Sequence, residues 1–256
     1  RLADPTLRLL ADAGIPVPAD DRRLIVEIPG QPLEVLFART DDIPTLIADG
    51  AADVGIAGGN QLLEHGDDGV AVLGELGYGS CSLVIAAPAT SAIRSSTDLD
   101  GLRIATSHPV ILGRHLAAKG VDAAIVTLSG SIELAPTIGA ADAICDLVST
   151  GETLRQNGLR AVETVLRSQA VLIARDDHAA DQRIAALCTV VESVLAARPK
   201  RYLMLNTPDE ALDRVVALLP GLDAPTVLPL ARDDMHAVHA VVDAADVPRL
   251  LHPLKE

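Results

Sequence analysis

Aromatic side chains are almost missing: the 256 residues hold no tryptophan, one phenylalanine (Phe37) and two tyrosines (Tyr78 and Tyr202). A groove that stacks single-stranded bases or grips a peptide through rings is therefore disfavoured. Basic residues are scarce as well. Twenty-one Lys and Arg against 35 Asp and Glu leave a net charge of −14, which argues against a nucleic-acid partner and against anionic membranes, both of which recruit cations. Cysteine occurs three times, at 81, 145 and 188. The number is odd and no C-x-x-C pair exists, so neither a disulfide framework nor a zinc pair is indicated. Apolar surroundings make the three cysteines small buried hydrophobes of a protein in a reducing cytoplasm. Long apolar runs are lacking too: Leu83 to Ala89 and Ala170 to Ala174 fall far short of the roughly 20 residues of a membrane span. No basic-then-apolar signal segment opens the chain.

What is present is an ordinary globular composition, 49% hydrophobic and 22% charged, enough for one large domain or two modest ones. Short apolar runs alternate with amphipathic segments, the pattern of βαβ units around a mostly parallel sheet. Strands are expected at Arg23 to Ile28, Glu34 to Ala38, Asp53 to Ala57 and Leu83 to Ala87, with helices at Asp4 to Ala13 and Ile43 to Asp49. A Ser-, Thr- and Pro-rich stretch, Ala89 to Gly101, marks a change of unit. A second α/β set follows, with strands at Arg103 to Ala105, Ala124 to Leu128 and Ala143 to Val148 and helices at Val110 to Lys119 and Ile132 to Gly139. Ala170 to Ala174 reads as a strand that returns to the first sheet, so two lobes joined by two crossings would frame a hinged cleft. A helix from Asp181 to Ala197 leads to a small α+β appendage, with strands at Tyr202 to Leu205 and Ala237 to Val242 and helices at Asp209 to Leu219 and Val247 to Leu251.

The most informative segment runs from Asp142 to Leu154. An apolar strand enters Ser149-Thr150-Gly151-Glu152-Thr153, and a helix follows. Successive amides at such a turn form a concavity for anions. Thr150 and Thr153 offer hydroxyls, and Gly151 lets a phosphate approach the backbone. No lysine follows, so this is not a Walker A loop, and no G-x-G-x-x-G follows a strand. Asp142 and Asp146, four residues apart, suit ribose hydroxyls or Mg2+. Taken alone, the same residues also suit a capped helix with solvated acids.

The wider sequence resembles the ATP phosphoribosyltransferase family in its long form. The resemblance is carried by Arg103-Ile-Ala-Thr106-Ser-His-Pro109, by Leu128-Ser-Gly-Ser-Ile-Glu133-Leu-Ala-Pro136, and by the run from Gly139 to Leu159. It extends through Arg39 to Pro44, Asp49 to Ile56, Lys200 to Met204 and Ala217 to Thr226, nearly the whole chain. It implies the first step of histidine biosynthesis: ATP and phosphoribosyl pyrophosphate give N1-(5-phosphoribosyl)-ATP and pyrophosphate, with Mg2+, in a cytoplasmic enzyme that histidine inhibits and that assembles from dimers to hexamers. The implied donor site is Asp142, Asp146, Ser149, Thr150, Gly151, Glu152, Thr153 and Leu154. Asp146 and Glu133 are the implied catalytic residues, and Asp142 and Asp146 the implied metal ligands. The implied ATP site comprises Arg1, Arg39, Gly58, Asn60, Tyr78 and His108.

The implied fold is α/β: a two-lobed, periplasmic-binding-protein-like core and a C-terminal ferredoxin-like or ACT-like regulatory domain. The division would be 1–88 and 168–196 for the first lobe and connecting helix, 89–167 for the second lobe and 197–256 for the regulatory domain. Against the family, the chain is expected to lack a first strand, because it opens inside a Gly-Arg-Leu turn, and a last regulatory strand. Ser82 stands where many members carry arginine, and Asn60 and Ser149 where some carry acids. Glu133 would serve the site or cap its own helix; His108 would stack on a base or fix its turn. His236 and His239 would face histidine or a neighbouring subunit. The alternatives are a two-lobed solute-binding protein and a non-catalytic paralogue that binds phosphoribosyl compounds.

Overall fold

The computed structural model describes residues 2–18, 23–66, 68–219, 221 and 224–255. The chain divides into two compact units, Arg1–Cys188 and Thr189–Glu256. In the first, α1 (Ala3–Asp12) precedes an antiparallel pair, β1 (Ile25–Glu27) with β2 (Glu34–Leu36). Then come α2 (Ile43–Ala48), β3 (Val54–Gly58), α3 (Gly59–His65) and β4 (Val70–Glu75). The second lobe holds β5 (Cys81–Pro88), β6 (Arg103–Thr106), α4 (Pro109–Lys119), β7 (Ala124–Thr127), β8 (Ala143–Val148), α5 (Glu152–Gln156) and β9 (Leu159–Ser168). β10 (Ala170–Arg175) goes back between β3 and β4, as the apolar run at 170–174 predicts.

The second sheet has the order β7-β6-β8-β5-β9. Among the described residues only β6 pairs in parallel, with β7 and with β8; β5 runs antiparallel to both its neighbours, and β10 does so in the first sheet. The expected mostly parallel sheet is thus confined to β7-β6-β8, because β5 and β9 are joined to the first lobe rather than through helical crossovers. β5 also belongs to the second sheet, so the passage between sheets precedes Cys81 instead of falling at Ala89. The segment expected as a helix from Ile132 to Gly139 contains one 3-10 turn, Ile132–Leu134; Pro136 and Gly139 stop it from growing.

Alternation of side chains gives the second sheet two buried faces. Leu83, Ile85, Ile104 and Cys145 pack with Ile111, Leu112 and Leu116 of α4. Ala86, Ala105 and Ile144 pack with Ile132, Leu154 and Leu159 on the other side. The smaller first sheet is sealed by Ile47, Ala57, Leu62, Val70, Val171 and Ile173.

The two crossings are bound to one another. Ala170 N donates to Tyr78 O at 2.9 Å and Leu76 N to Ala170 O at 2.9 Å, while Gly77 N donates to Gln169 Oε1 at 3.1 Å. Two lobes on two adjoining crossings are the architecture the sequence implies.

Helix α6 (Gln182–Ala197) runs across the division of the chain. The second unit continues as β11 (Lys200–Pro208), α7 (Asp209–Leu218), β12 (Thr226–Pro229), β13 (Met235–Asp243) and α8 (Val247–Leu251). Its antiparallel sheet, in the order β11-β13-β12, buries Val238, Ala240 and Val242 against Val215, Leu219 and Leu250. This is the small α+β domain expected.

Candidate active site

Three chain segments meet at one edge of the second sheet. In β7-β6-β8 the connections lead left from β6 to β7 and then right to β8, so the crevice outside the carboxyl ends of β6 and β8 is a topological switch point, where α/β sheets bind ligands. His108 follows β6 there, and Ser149 follows β8. The same edge receives both crossings, because β5 begins and β9 ends on it.

The loop after β8 has the conformation its sequence calls for. Gly151 lies at φ 75°, ψ 3°, in the left-handed region, which a β-branched residue enters only under strain. A Cβ there would meet nothing closer than Val148 Cγ1 at 4.0 Å; the space above the loop is open. Thr150 Oγ1 accepts a long bond from Glu152 N at 3.5 Å. Leu154 is buried in the core and anchors the turn, while Glu152 pairs with Arg155 and accepts from Gln156 Nε2 at 3.1 Å. Helix α5 has only five residues, so anion binding at this turn falls to the amides of the loop itself. Thr153 is exposed, and its carbonyl accepts from Asn157 Nδ2 at 2.9 Å.

Asp146 lies on β8 opposite Val84, on the face shared by Ile144, Val148 and Leu154, beneath the loop. Its Oδ1 accepts from Leu147 N at 2.7 Å. Asp142 does not join it. It precedes the strand at the opposite end, roughly 13 Å from Asp146 and 23 Å from Ser149 at 3.3 Å per residue. There Asp142 accepts from Arg103 N at 2.9 Å and from Arg103 Nη2 at 3.2 Å, and the guanidinium and amide bonds hold its carboxyl below the usual range. The structure thus brings Asp146 to the loop and places Asp142, expected beside it, at the other end of the strand with Arg103. Among the described residues no group of three or more His, Cys, Asp and Glu could hold a metal ion.

The implied ATP residues are scattered. Asn60 and His108 are buried, at 4% and 5% exposure, and spend their polar atoms on each other and on serines. Asn60 Nδ2 is 3.0 Å from His108 Nε2, His108 Nδ1 is 2.9 Å from Ser107 Oγ, and Ser168 Oγ donates to Asn60 Oδ1 at 3.2 Å. His108 thus fixes its turn and offers no free edge to a base. Burial pushes its pKa down, opposed by the charges of Glu64, Asp146 and Asp41 and reinforced by His65. Gly58 has ordinary extended backbone; a Cβ there would lie 2.5 Å from Asn60 Oδ1, so glycine makes room for that amide rather than for a nucleotide. Tyr78 is docked on α1, its hydroxyl 2.7 Å from Thr6 Oγ1. Arg39 is exposed in the loop between β2 and α2. Arg1 lies outside the described residues.

Glu133 sits in the 3-10 turn after β7, at the same sheet edge as His108. Just before it, Ser131 has φ 50°, the one non-glycine residue at positive φ among those described.

Sequence reasoning passed over the cleft's cation. An open cleft of about 550 Å³ is lined by Ser149, Val148, Ser82, Arg167, Gln169 and Glu75, among others. Arg167 on β9 is the cross-strand partner of Ser82, which on its other side faces Val148. The row Val148–Ser82–Arg167 spans three strands, roughly 10 Å at 4.8 Å per strand, and residues paired in this way share a face. Arg167 therefore points from the same face as Asp146. It is the cation among the cleft's lining residues, in a chain of charge −14. Only register shows that it stands beside the serine at 82.

In the second unit, His239 Nδ1 is 2.6 Å from Tyr202 Oη and His236 Nδ1 is 2.9 Å from Asp209 Oδ1. Both histidines thus have side-chain partners within the unit.

Residues 39–193 match the family described as ATP phosphoribosyltransferase, and residues 197–256 match the HisG C-terminal domain. Among solved structures, the ATP phosphoribosyl transferase (HisG:HisZ) complex from Thermotoga maritima is similar, with 25% identity and a TM-score of 0.66 over 77% of this chain and 94% of that one. The periplasmic aliphatic sulphonate binding protein SsuA from Escherichia coli matches at 19% identity and a TM-score of 0.49, over 64% of this chain and 62% of that chain. A sulfonate-binding SsuA from Methylobacillus flagellatus is alike at 19% and 0.47, over 68% and 56%.

Proposed function

The chain belongs to the ATP phosphoribosyltransferase family, and on that premise we propose that it condenses ATP with phosphoribosyl pyrophosphate to N1-(5-phosphoribosyl)-ATP and pyrophosphate, opening histidine biosynthesis. The observation that carries this reading is the left-handed Gly151 turn at the switch point, with room at the Gly151 Cβ position and with Ser149 lining the cleft. The donor's 5-phosphate would lie on the amides and hydroxyls of Ser149 to Thr153, with Asp146 beneath it, beside the ribose hydroxyls. Arg167, across the sheet, would face the pyrophosphate.

In this reaction the N1 lone pair of adenine forms a bond to C1 of the ribose as the bond from C1 to the pyrophosphate oxygen breaks. The nucleophile is the base itself, so no serine or cysteine has to be activated. What the chain supplies is position and charge: loop amides that hold the sugar, a carboxylate near a ring that turns cationic, and a guanidinium near the departing anion. Mg2+ accepts one or two carboxylates, with substrate phosphates and water completing its shell; Asp146 fits as such a single ligand, and Asp142 is too distant to share it. When bound, the ion neutralises charge on the leaving pyrophosphate.

Histidine inhibition through residues 197–256, a homo-oligomer and a cytoplasmic setting complete the proposal. The C-terminal family match and the small α+β unit support the first of these. The test is pyrophosphate release by the purified chain. Release that requires ATP, phosphoribosyl pyrophosphate and Mg2+ together is expected; binding of either substrate without release would make it a non-catalytic paralogue.

A further inference from the structure

The buried polar contacts between the lobes converge on the start of α4. This helix has no cap of its own: His108 precedes it without a side-chain capping bond, and proline occupies its first turn. The free donors of that turn, Val110 N and Ile111 N, are bound by Glu64, its Oε1 and Oε2 accepting at 2.9 and 3.0 Å. Glu64 belongs to α3, in the other lobe, and is itself buried at 8% exposure. Asn60 precedes it by four residues, on the same face of α3, and reaches His108. Gly59 and Leu63, by contrast, line the cleft. One face of α3 thus looks into the cleft while its neighbour grips the second lobe beside it.

We propose that Glu64 and Asn60 are positioning residues that clasp the two lobes together over the cleft, Glu64 by supplying across the lobe boundary the cap that α4 lacks. The proposal rests on the function inferred above. Charge-assisted bonds to two backbone amides are among the stronger polar contacts a chain can make, and separating the lobes breaks both at once. Because both substrates need the closed cleft, apparent affinity scales with the closed fraction. Whichever substrate binds first bears the cost of closure, so weakening the clasp raises the dissociation constant of each substrate titrated alone by one common factor and leaves the chemical step intact. A cap that served α4 alone would affect neither.

The experiment compares wild type, Glu64→Ala and Glu64→Gln as complete chains, by small-angle scattering, by titration calorimetry of each substrate alone and by steady-state kinetics. For Glu64→Ala the expected results are a larger radius of gyration without ligands, restored when both substrates are added, and dissociation constants for ATP and donor, each titrated alone, both raised about tenfold, equivalent to 1.4 kcal/mol, with kcat retained. Glu64→Gln keeps one acceptor oxygen and should fall between. Faster exchange of the Val110 and Ile111 amides with an unchanged radius and unchanged dissociation constants would overturn the clasp. Should Glu64→Ala fail to fold, Glu64→Gln and Asn60→Ala carry the same comparison. A wild type without pyrophosphate release refutes the function, while scattering of the unliganded variants still decides the clasp.

Discussion

The two ends of strand β8 carry the same residue types, an aspartate near a turn, yet the two aspartates meet different surroundings. At the Asp142 end the carboxylate is bound by Arg103, in a half-exposed bidentate pair, and the turn before it, at Gly139, is also left-handed. At the Ser149 end, Asp146 lies on the strand that leads into a loop whose glycine is left-handed, with room at its Cβ position, and Ser149 lines the cleft beside Arg167. The surroundings of a carboxylate, more than its residue type, decide what it can do. Spacing in sequence does not reveal that, because four residues put two side chains on one face of a strand but roughly 13 Å apart.

The contrast is broken most severely at Gly151. Valine there would impose about 1–3 kcal/mol of backbone strain and place methyl groups in the open space above the loop. Misdirecting the anion donors costs about 2.7–4 kcal/mol where comparable donors have been removed. Donor affinity should therefore fall by more than about 100-fold, with ATP affinity much less affected. Titration calorimetry, with circular dichroism as a folding control, checks this.

The two aspartates give the next largest difference. Asp146→Asn should lower kcat/KM by about tenfold or more, since a hydrogen bond to a charged group contributes about 1.5–3 kcal/mol. Asp142→Asn should leave kcat/KM near wild type and cost only a fraction of a degree to a few degrees in melting temperature, because an exposed ion pair contributes about 0–1 kcal/mol. Equal losses of activity in the two variants would erase the distinction between the strand ends. Arg167→Ala should raise KM for the donor by several-fold, and Arg167→Lys should restore part of it by returning the charge without the fork.

The smallest effect belongs to His108. Burial depresses its pKa in the folded state, while the unfolded chain titrates near about 6.5. The native state is favoured above that pH, and its advantage is lost as pH falls from there through the folded pKa. Urea midpoints at pH 8 and pH 5 should differ more for wild type than for His108→Gln.

Much of the fold was legible in the residues. Apolar runs at 83–87, 143–148 and 170–174 are central strands buried on both faces, and such runs announce themselves. β9 was not legible: Leu159–Ser168 carries Arg160, Glu163 and Arg167, because it is an edge strand half in solvent. β12 was missed for the same reason, all four of its residues being exposed. Of the site, the Gly151 turn was readable, since glycine between threonines after a strand has a local cause. Arg167 and Glu64 were not, because each acquires its place through a partner distant in sequence, Ser82 by cross-strand register and α4 by packing of α3.

Amide hydrogen exchange of the wild-type chain, with and without phosphoribosyl pyrophosphate, bears most directly on which end of β8 is the site. The account predicts that the donor slows exchange in residues 149–154 and leaves the amides of Arg103 and Asp142 unchanged. Protection at Arg103 and Asp142, with the loop after β8 unaffected, would contradict it.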